Sequence, residues 1–339
     1  MQIFVTNIYG YGKNSIEKVA QNMVTDLAIR CFGARELGIY AYDMNTDSQA
    51  MLNARLDGIL AAVTSEDVVF IQSPVWNSTF FEKALMERIR LIAPGAKMVV
   101  FVHDMPPLMW ESERYLIPNY LELYNKADAI IFPTENALRF WREQGLTVEK
   151  VLIQHMWDHP VEVDTRIRPT FSRTICFAGN PEKFTFVKEW KSREVQLAVT
   201  AAENSWTCEG NVKKLGWFQN DALLAHTLRS TGGFGLHWTQ DPYWMEYMKY
   251  NASYKLSLYL ASGLPVIVPK EHPEKDYILR KNIGITVSSL EDAVAQIMRM
   301  TPETYAEMVQ AVEQVGKILR DGGMIKKLFS DALFKLYFE

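Results

Sequence analysis

What most constrains this chain is an alternation, run twice, of short β-rich segments with longer segments of helical spacing. The first series places strands at residues 2–6, 37–41, 67–72, 97–103, 129–133 and 150–154. Apolar residues recur at helical intervals over 15–30, 46–62, 80–92, 112–126 and 135–144. Parallel strands need a crossover of about a dozen residues or more, and a helix supplies it while covering one face of the sheet. The pattern therefore predicts βαβ units around a parallel sheet. It stalls over MWDHPVEVDTRIRPTFSR, residues 156–173, where proline, charge and lost periodicity mark a linker. It then resumes, with strands at 174–178, 194–200, 211–215, 233–237, 265–268 and 284–287 and helices at 221–229, 254–262 and 290–299. Two helical patterns, 302–319 and 324–338, close the chain. A length of 339 residues suits two domains. The expectation is an α/β protein of two Rossmann-like domains, 1–158 and 171–320, with a ligand cleft between them.

Charge and cysteine usage narrow the function classes. With 36 basic and 40 acidic residues the net charge is -4. No electrostatic pull toward nucleic acid or an anionic membrane follows from that. No apolar run reaches the ~18 residues of a membrane span. Cys31, Cys176 and Cys208 lack paired spacing, which fits a reducing compartment. The start, MQIFVTN, reads as a first strand rather than a signal peptide, so a cytoplasmic protein is expected.

Ligands of open parallel sheets bind outside the carboxyl ends of the strands, so the loops after each strand are the places to search. TNIYGYGKNS, residues 6–15, carries Gly10 and Gly12 and ends in Asn14-Ser15, a helix-capping pair. It suits an anion at a helix start, or is a tight βα turn alone. Residue 15 is serine where a dinucleotide fingerprint has its third glycine. With Asp43 as a ribose-binding acid, a nicotinamide-dependent oxidoreductase is the alternative this loop leaves open. SPVWNST, residues 73–79, presents Trp76 and Asn77, suited to holding a sugar ring or to core packing. FVHDMPPLMW, residues 101–110, ends a strand in His103-Asp104, a general-base candidate or a capping pair. FAGNPEKFTFVKEW, residues 177–190, sets Gly179 and Asn180 before Lys183 and Lys188, cations for a phosphate or solvated surface lysines. In TGGFGLHWTQD, residues 231–241, Gly232, Gly233 and Gly235 imply close approach of another backbone or of a ligand. NASYKLSLYLASGLPVIV, residues 251–268, puts Lys255 on the first turn of a helix. The helix dipole already favours an anion there, so a cation on that turn points to a phosphate opposite it, or is an exposed lysine.

The last two segments together resemble the donor-binding region of GT-B glycosyltransferases. Many of these read Ser-Lys-x-x-Glu-Tyr-x-Ala-x-Gly-x-Pro here; the lysine matches Lys255, the glycine Gly263 and the proline Pro265, while the glutamate falls on Leu258. QSPVWNSTFFEKAL, FVHDMPPLM, YNKADAII, GNPEKFTFVKEW and SYKL follow in order across nearly the whole chain. They resemble the glucosyltransferase 3 family of accessory-Sec, serine-rich-repeat adhesin glycosylation, which is related to β-1,6-galactofuranosyltransferases. The resemblance implies a GT-B fold with a nucleotide-sugar cleft, residues 321–339 packing back on the first domain, and a tetramer. It implies transfer of a hexose, usually glucose, from a UDP-sugar to O-linked GlcNAc on the adhesin. UDP-GlcNAc or UDP-galactofuranose as donor, or a non-catalytic subunit, are the alternatives. Lys183, Trp217 and Lys255 are the UDP-binding residues the resemblance implies; Gly10, Ser15, Gly179, Asn180 and Tyr254, from the loops and helix start around them, complete the expected UDP-sugar-binding set. His103 and Asp104 are the catalytic candidates, and Trp76 and Asn77 the acceptor-binding ones. No DxD metal motif is present, so no metal and no cofactor are expected.

Overall fold

The computed structural model describes residues 1–10, 16–76, 78–201, 206, 210–218 and 220–339. The chain divides into two compact units. Unit 1 comprises residues 1–155, 250–252 and 324–339, and unit 2 residues 156–249 and 253–323.

Unit 1 runs β1 (Ile3–Tyr9), α1 (Ile16–Phe32), β2 (Arg35–Tyr40), α2 (Gln49–Leu60), β3 (Val68–Ser73), α3 (Thr79–Ile92), β4 (Lys97–Val102), α4 (Pro106–Met109), α5 (Ile117–Tyr124), β5 (Ala129–Phe132), α6 (Glu135–Gln144) and β6 (Val151–Ile153). The sheet order is β2-β1-β3-β4-β5-β6, all parallel. Its central strands are apolar on both faces because helices cover both. Helix starts follow local signals. Ser48, Ser78 and Thr134 each accept a backbone N–H at the first turn of α2, α3 and α6.

One helix expected over 112–126 is in fact two elements, a 3-10 segment (Glu111–Leu116) followed by α5. Pro118 lacks an N–H and fits only the first turn of an α-helix, so α5 begins there and the residues before it tighten. β1 runs on to Tyr9, further than its apolar run, because its parallel ladder with β2 continues to the Tyr9–Tyr40 pair.

Unit 2 runs β7 (Thr174–Phe177), β8 (Gln196–Val199), β9 (Val212–Lys214), α7 (Asp221–Thr231), β10 (Phe234–Leu236), α8 (Pro242–Tyr247), α9 (Tyr254–Ala261), β11 (Val266–Pro269), α10 (Lys275–Arg280), β12 (Gly284–Val287), α11 (Leu290–Arg299) and α12 (Pro302–Arg320). A final helix, α13 (Gly323–Phe338), lies almost wholly in unit 1. There Phe329 is fully buried and stacks on Phe70 of β3 at 3.9 Å. The second sheet is also all parallel, in the order β12-β11-β10-β7-β8-β9. α8 and α10 escaped the sequence reading because neither is long enough to show a period. α8 is set instead by Asp241, whose carboxylate accepts two N–H groups, and by Pro242.

The three glycines before and within β10 are explained by packing. A Cβ on Gly232 or Gly233 would lie 2.4 Å or 2.1 Å from the carbonyl oxygens of Thr170 and Thr174. On Gly235 it would lie 2.2 Å from the Tyr259 ring. No helix among the described residues is long and apolar enough to cross a membrane.

Candidate functional site

In each sheet the strand order reverses direction at one place, and that is where a crevice opens at the strand ends. In unit 2 the reversal lies between β7 and β10. The loop after β7 is Gly179-Asn180-Pro181. Asn180 Oδ1 accepts the Glu182 N–H at 2.9 Å, and its carbonyl accepts the N–H groups of Lys183 and Phe184 at 3.0 Å. A Cβ on Gly179 would fall 2.5 Å from the Phe177 ring, so only glycine lets the loop cross it. This turn delivers Lys183. The residue after β10 is His237, whose N–H bonds to Ile267 of β11 at 2.9 Å.

Lys255 comes from the other side, the first turn of α9. Ser253, at the N-cap, makes no side-chain cap bond, so the first N–H groups of the helix have no side-chain acceptor from it. The ring of Phe184 lies beside both ammonium groups, 4.1 Å from Lys255 Nζ and 5.8 Å from Lys183 Nζ. Lys183 Nζ also lies 4.0 Å from the Trp244 ring, and Lys255 Nζ 5.4 Å from that of Phe177. Among the described residues neither ammonium pairs with a carboxylate, whereas Lys188 pairs with Glu182 at 2.7 Å. Burial, and then the charge of Lys183, push the Lys255 pKa down to about 8. Two cations repelling each other over aromatic faces form a site that a shared anion would satisfy.

The other residues expected around the donor are spread more widely. Tyr254, beside Lys255, turns its ring to His159 at 4.7 Å. Trp217 is exposed, on the loop between β9 and α7. Gly10 lies in unit 1 at the end of β1, at φ +85°, where a Cβ would meet the Tyr40 ring at 2.9 Å. Ser15 and Asn77 lie outside the described residues. Leu258, at the position of the GT-B glutamate, is buried.

In unit 1 the reversal lies between β1 and β3. Trp76 follows β3 at φ +62°, an unfavourable backbone for a bulky residue. Its ring meets Trp110 edge-on at 6.2 Å, and its buried indole N–H has no hydrogen-bond partner among the described residues. His103 and Asp104 follow β4, the next strand. His103 is buried, and desolvation drives its pKa down to about 3, so the imidazole is neutral and weakly basic. Asp104, the next residue, keeps partial exposure.

Two groups escaped the sequence reading. Glu82, in the first turn of α3, is buried beneath the Trp76 loop, and its carboxylate accepts the Val75 N–H at 3.3 Å. Burial, opposed by Ser73 and Val75, raises its pKa to about 7. His272, after β11, packs edge-on to His237 with ring centroids 5.3 Å apart. Its signal was available, since it follows a strand as His103 does.

Comparison with known proteins extends this picture. The model of the "Glucosyltransferase 3-like, N-terminal domain" matches residues 2–156, and that of the C-terminal domain matches residues 175–332. The chain is 39% identical to glucosyltransferase 3 of Streptococcus gordonii and 38% identical to that of Streptococcus parasanguinis, each over 99% of both chains. It is 28% identical to the β-1,6-galactofuranosyltransferase WbbI of Escherichia coli K12, over 83% of both. Among solved structures it resembles Anabaena HepE in complex with UDP and glucose. The TM-score is 0.64, with 11% identity over 98% of this chain and 99% of that one. Sucrose-phosphate synthase of Thermosynechococcus elongatus gives 0.65, with 10% identity over 99% of both. At that identity the likeness is one of fold, and the fold is GT-B.

Proposed function

The chain belongs to the glucosyltransferase 3-like family of glycosyltransferases, and from that premise we propose that it moves a hexose, glucose above all, from a UDP-sugar to O-linked GlcNAc on a serine-rich-repeat adhesin in the cytoplasm. The observation that carries the donor side is the pair of ammonium groups, Lys183 and Lys255, flanking Phe184 at the reversal point of the second sheet without a carboxylate partner among the described residues. A diphosphate would supply an anion for both, and the first N–H groups of α9, which the Ser253 side chain leaves uncapped, would add to its binding. Lysines and a helix dipole can stabilise a departing UDP, so transfer is proposed to need no divalent metal. Gly10, Ser15, Gly179, Asn180, Trp217 and Tyr254 complete the proposed donor contacts.

On the acceptor side, Trp76 and Asn77 are proposed to hold the GlcNAc. The strained backbone and unpaired indole N–H of Trp76 support that role. Asp104 is proposed as the base for the acceptor hydroxyl, with His103 behind it. The family resemblance further supports a homotetramer, which sedimentation would test.

UDP release, measured over a panel of UDP-sugars with a GlcNAc-bearing adhesin peptide and with and without EDTA, tests the reading. UDP-glucose should turn over fastest, and equally well in EDTA. UDP-galactofuranose belongs in the panel because a relative carries that activity in its name. Absence of turnover with every donor would favour a non-catalytic subunit, the reading to which the buried Leu258 points.

A further inference from the structure

His237 and His272 lie at the carboxyl ends of neighbouring strands, β10 and β11, and both are more than nine-tenths buried, at 8% and 4% exposure. Each has a task in the fold. The backbone N–H of His237 continues the ladder to Ile267. His272 Nδ1 accepts the Glu274 N–H at 3.1 Å and so caps the turn before α10. That bond decides the tautomer. Desolvation lowers the His272 pKa to about 4, so the ring is neutral, and with Nδ1 accepting, the single proton sits on Nε2. The Nε2–H is buried with no partner among the described residues, and so is Nδ1 of His237. A buried donor left unsatisfied is destabilising, and folds rarely retain one without a use for it.

What surrounds the pair indicates the use. Burial, then His272, then the charge of Lys255 lower the His237 pKa, so Lys255 lies within electrostatic reach of that ring. Lys183 acts in turn on Lys255. The group therefore offers two ammonium ions, an imidazole N–H and a second neutral imidazole, and no carboxylate pairs with either lysine among the described residues. Phosphate oxygens only accept, and suit a set of donors. We infer that His237 and His272 form the inner wall of a phosphate subsite, with His272 Nε2–H donating to the terminal phosphate of a nucleoside diphosphate held by Lys255, and His237 adding a second donor in the tautomer protonated at Nδ1. The inference rests on the donor-side reading of Lys183 and Lys255 above.

Two substitutions separate this role from the structural one. His272→Asn keeps an oxygen near the position of Nδ1, and with it the turn cap, but removes the Nε2 donor. His272→Gln places an N–H near Nε2. Calorimetry with UDP, UMP and uridine on the full chain should find UDP bound about tenfold or more weakly by His272→Asn, the scale of a hydrogen bond to a charged group. UMP and uridine affinities should be unchanged, the melting temperature should stay close to wild type, and His272→Gln should recover most of the UDP affinity. In the wild type, the imidazole nitrogen and proton resonances of His237 and His272 should shift with UDP and not with uridine, a readout independent of how any variant folds. If His272→Asn binds UDP as the wild type does, or the imidazole resonances ignore UDP, the pair is structural only and the inference fails while the donor site stands. Equal losses for UMP and UDP would place the histidines at the nucleoside end, which also overturns it. A wild type that does not bind UDP overturns the donor reading itself and this inference with it.

Discussion

Lys255 gives up its proton near pH 8 in the free protein because burial and Lys183 both disfavour its charge. The protonated form is the one that attracts a diphosphate. UDP affinity should therefore fall as the pH rises through about 8, and Lys255→Arg, charged throughout, should flatten that fall. Lys255→Ala at pH 7 should lose about 1.5–3 kcal/mol of UDP binding, the scale of a charge-assisted hydrogen bond, as calorimetry would read directly. The acceptor side makes a different prediction. An imidazole with a pKa of about 3 is a poor base at neutral pH. Asp104→Asn should lower kcat about a hundredfold or more with UDP binding preserved, whereas His103→Gln should cost less and leave the pH–rate profile without an imidazole inflection. Glu82 is a stability element. Its folded pKa, about 7, lies above the ordinary value of 4.5, so the folded state holds an extra proton between those values. Stability then declines as the pH rises through that window and is lowest, on this account, above it. Glu82→Gln keeps an oxygen for the Val75 amide and removes the charge. It should be more stable than wild type at pH 8 by up to about 3 kcal/mol and equal to it near pH 4, which denaturant melts at the two pH values would show.

At the scale of elements, the linker of residues 156–173 belongs to unit 2, and one buried side chain joins it to three helices there. Arg229, on α7, donates to the carbonyls of Asp164 and Ile167 at 3.1 Å and 2.5 Å and to that of Ser262 at 3.2 Å, and it pairs with Glu313 of α12 at 2.5 Å. It also explains Gly263, whose missing Cβ would lie 2.3 Å from the guanidinium. Arg229→Ala leaves Glu313 with Arg320 as its remaining cation, at 3.4 Å, and three carbonyls short of a donor, and should destabilise unit 2 by about 3–5 kcal/mol in denaturant unfolding. What the sequence made legible follows the range of the signal. α6, α11 and β12 were read to the residue, because Thr134 with Gly145 and Ser289 with Met300 bound the two helices locally. The places of Lys183, after β7, and Lys255, at the start of α9, were legible because a strand end and a helix start leave local signals. Glu82 was not. It occupies an ordinary position in the first turn of α3, and its burial against Ser73 and Val75 exists only in the folded chain. The partnership of His237 with His272 likewise exists only once β10 and β11 are neighbours. Leu258 was legible as a departure from the GT-B pattern, and burial shows what leucine does there.

For the whole molecule, order along the chain and membership of a unit do not coincide. The chain leaves unit 1 after residue 155, returns for residues 250–252, and returns again at residue 324 to finish. Each return is anchored. Thr134 Oγ1 donates to the carbonyl of Tyr250 at 3.1 Å, and the Phe140 ring meets that of Tyr250. On α13, Ile325, Leu328, Phe329 and Ala332 are all buried, with Phe329 lying between Phe70 of β3 and Phe32 of α1. The first sheet therefore gets part of its core from the last sixteen residues of the chain, and it is incomplete until the second domain has been made. Removing a fully buried phenylalanine ring costs about 3–5 kcal/mol. Phe329→Ala should show that loss in unit 1 alone: amide exchange in β1, β3 and α1 should accelerate, while β7, β10 and β11 keep their protection and UDP still protects the Lys183 and Lys255 segments. A fragment ending at residue 158 should go further, exposing the Phe70 face of its sheet and failing to unfold cooperatively. If that fragment melted as one sharp transition with wild-type exchange in β3, α13 would be an addition to a sheet already complete, and the first unit would be independent of the end of the chain.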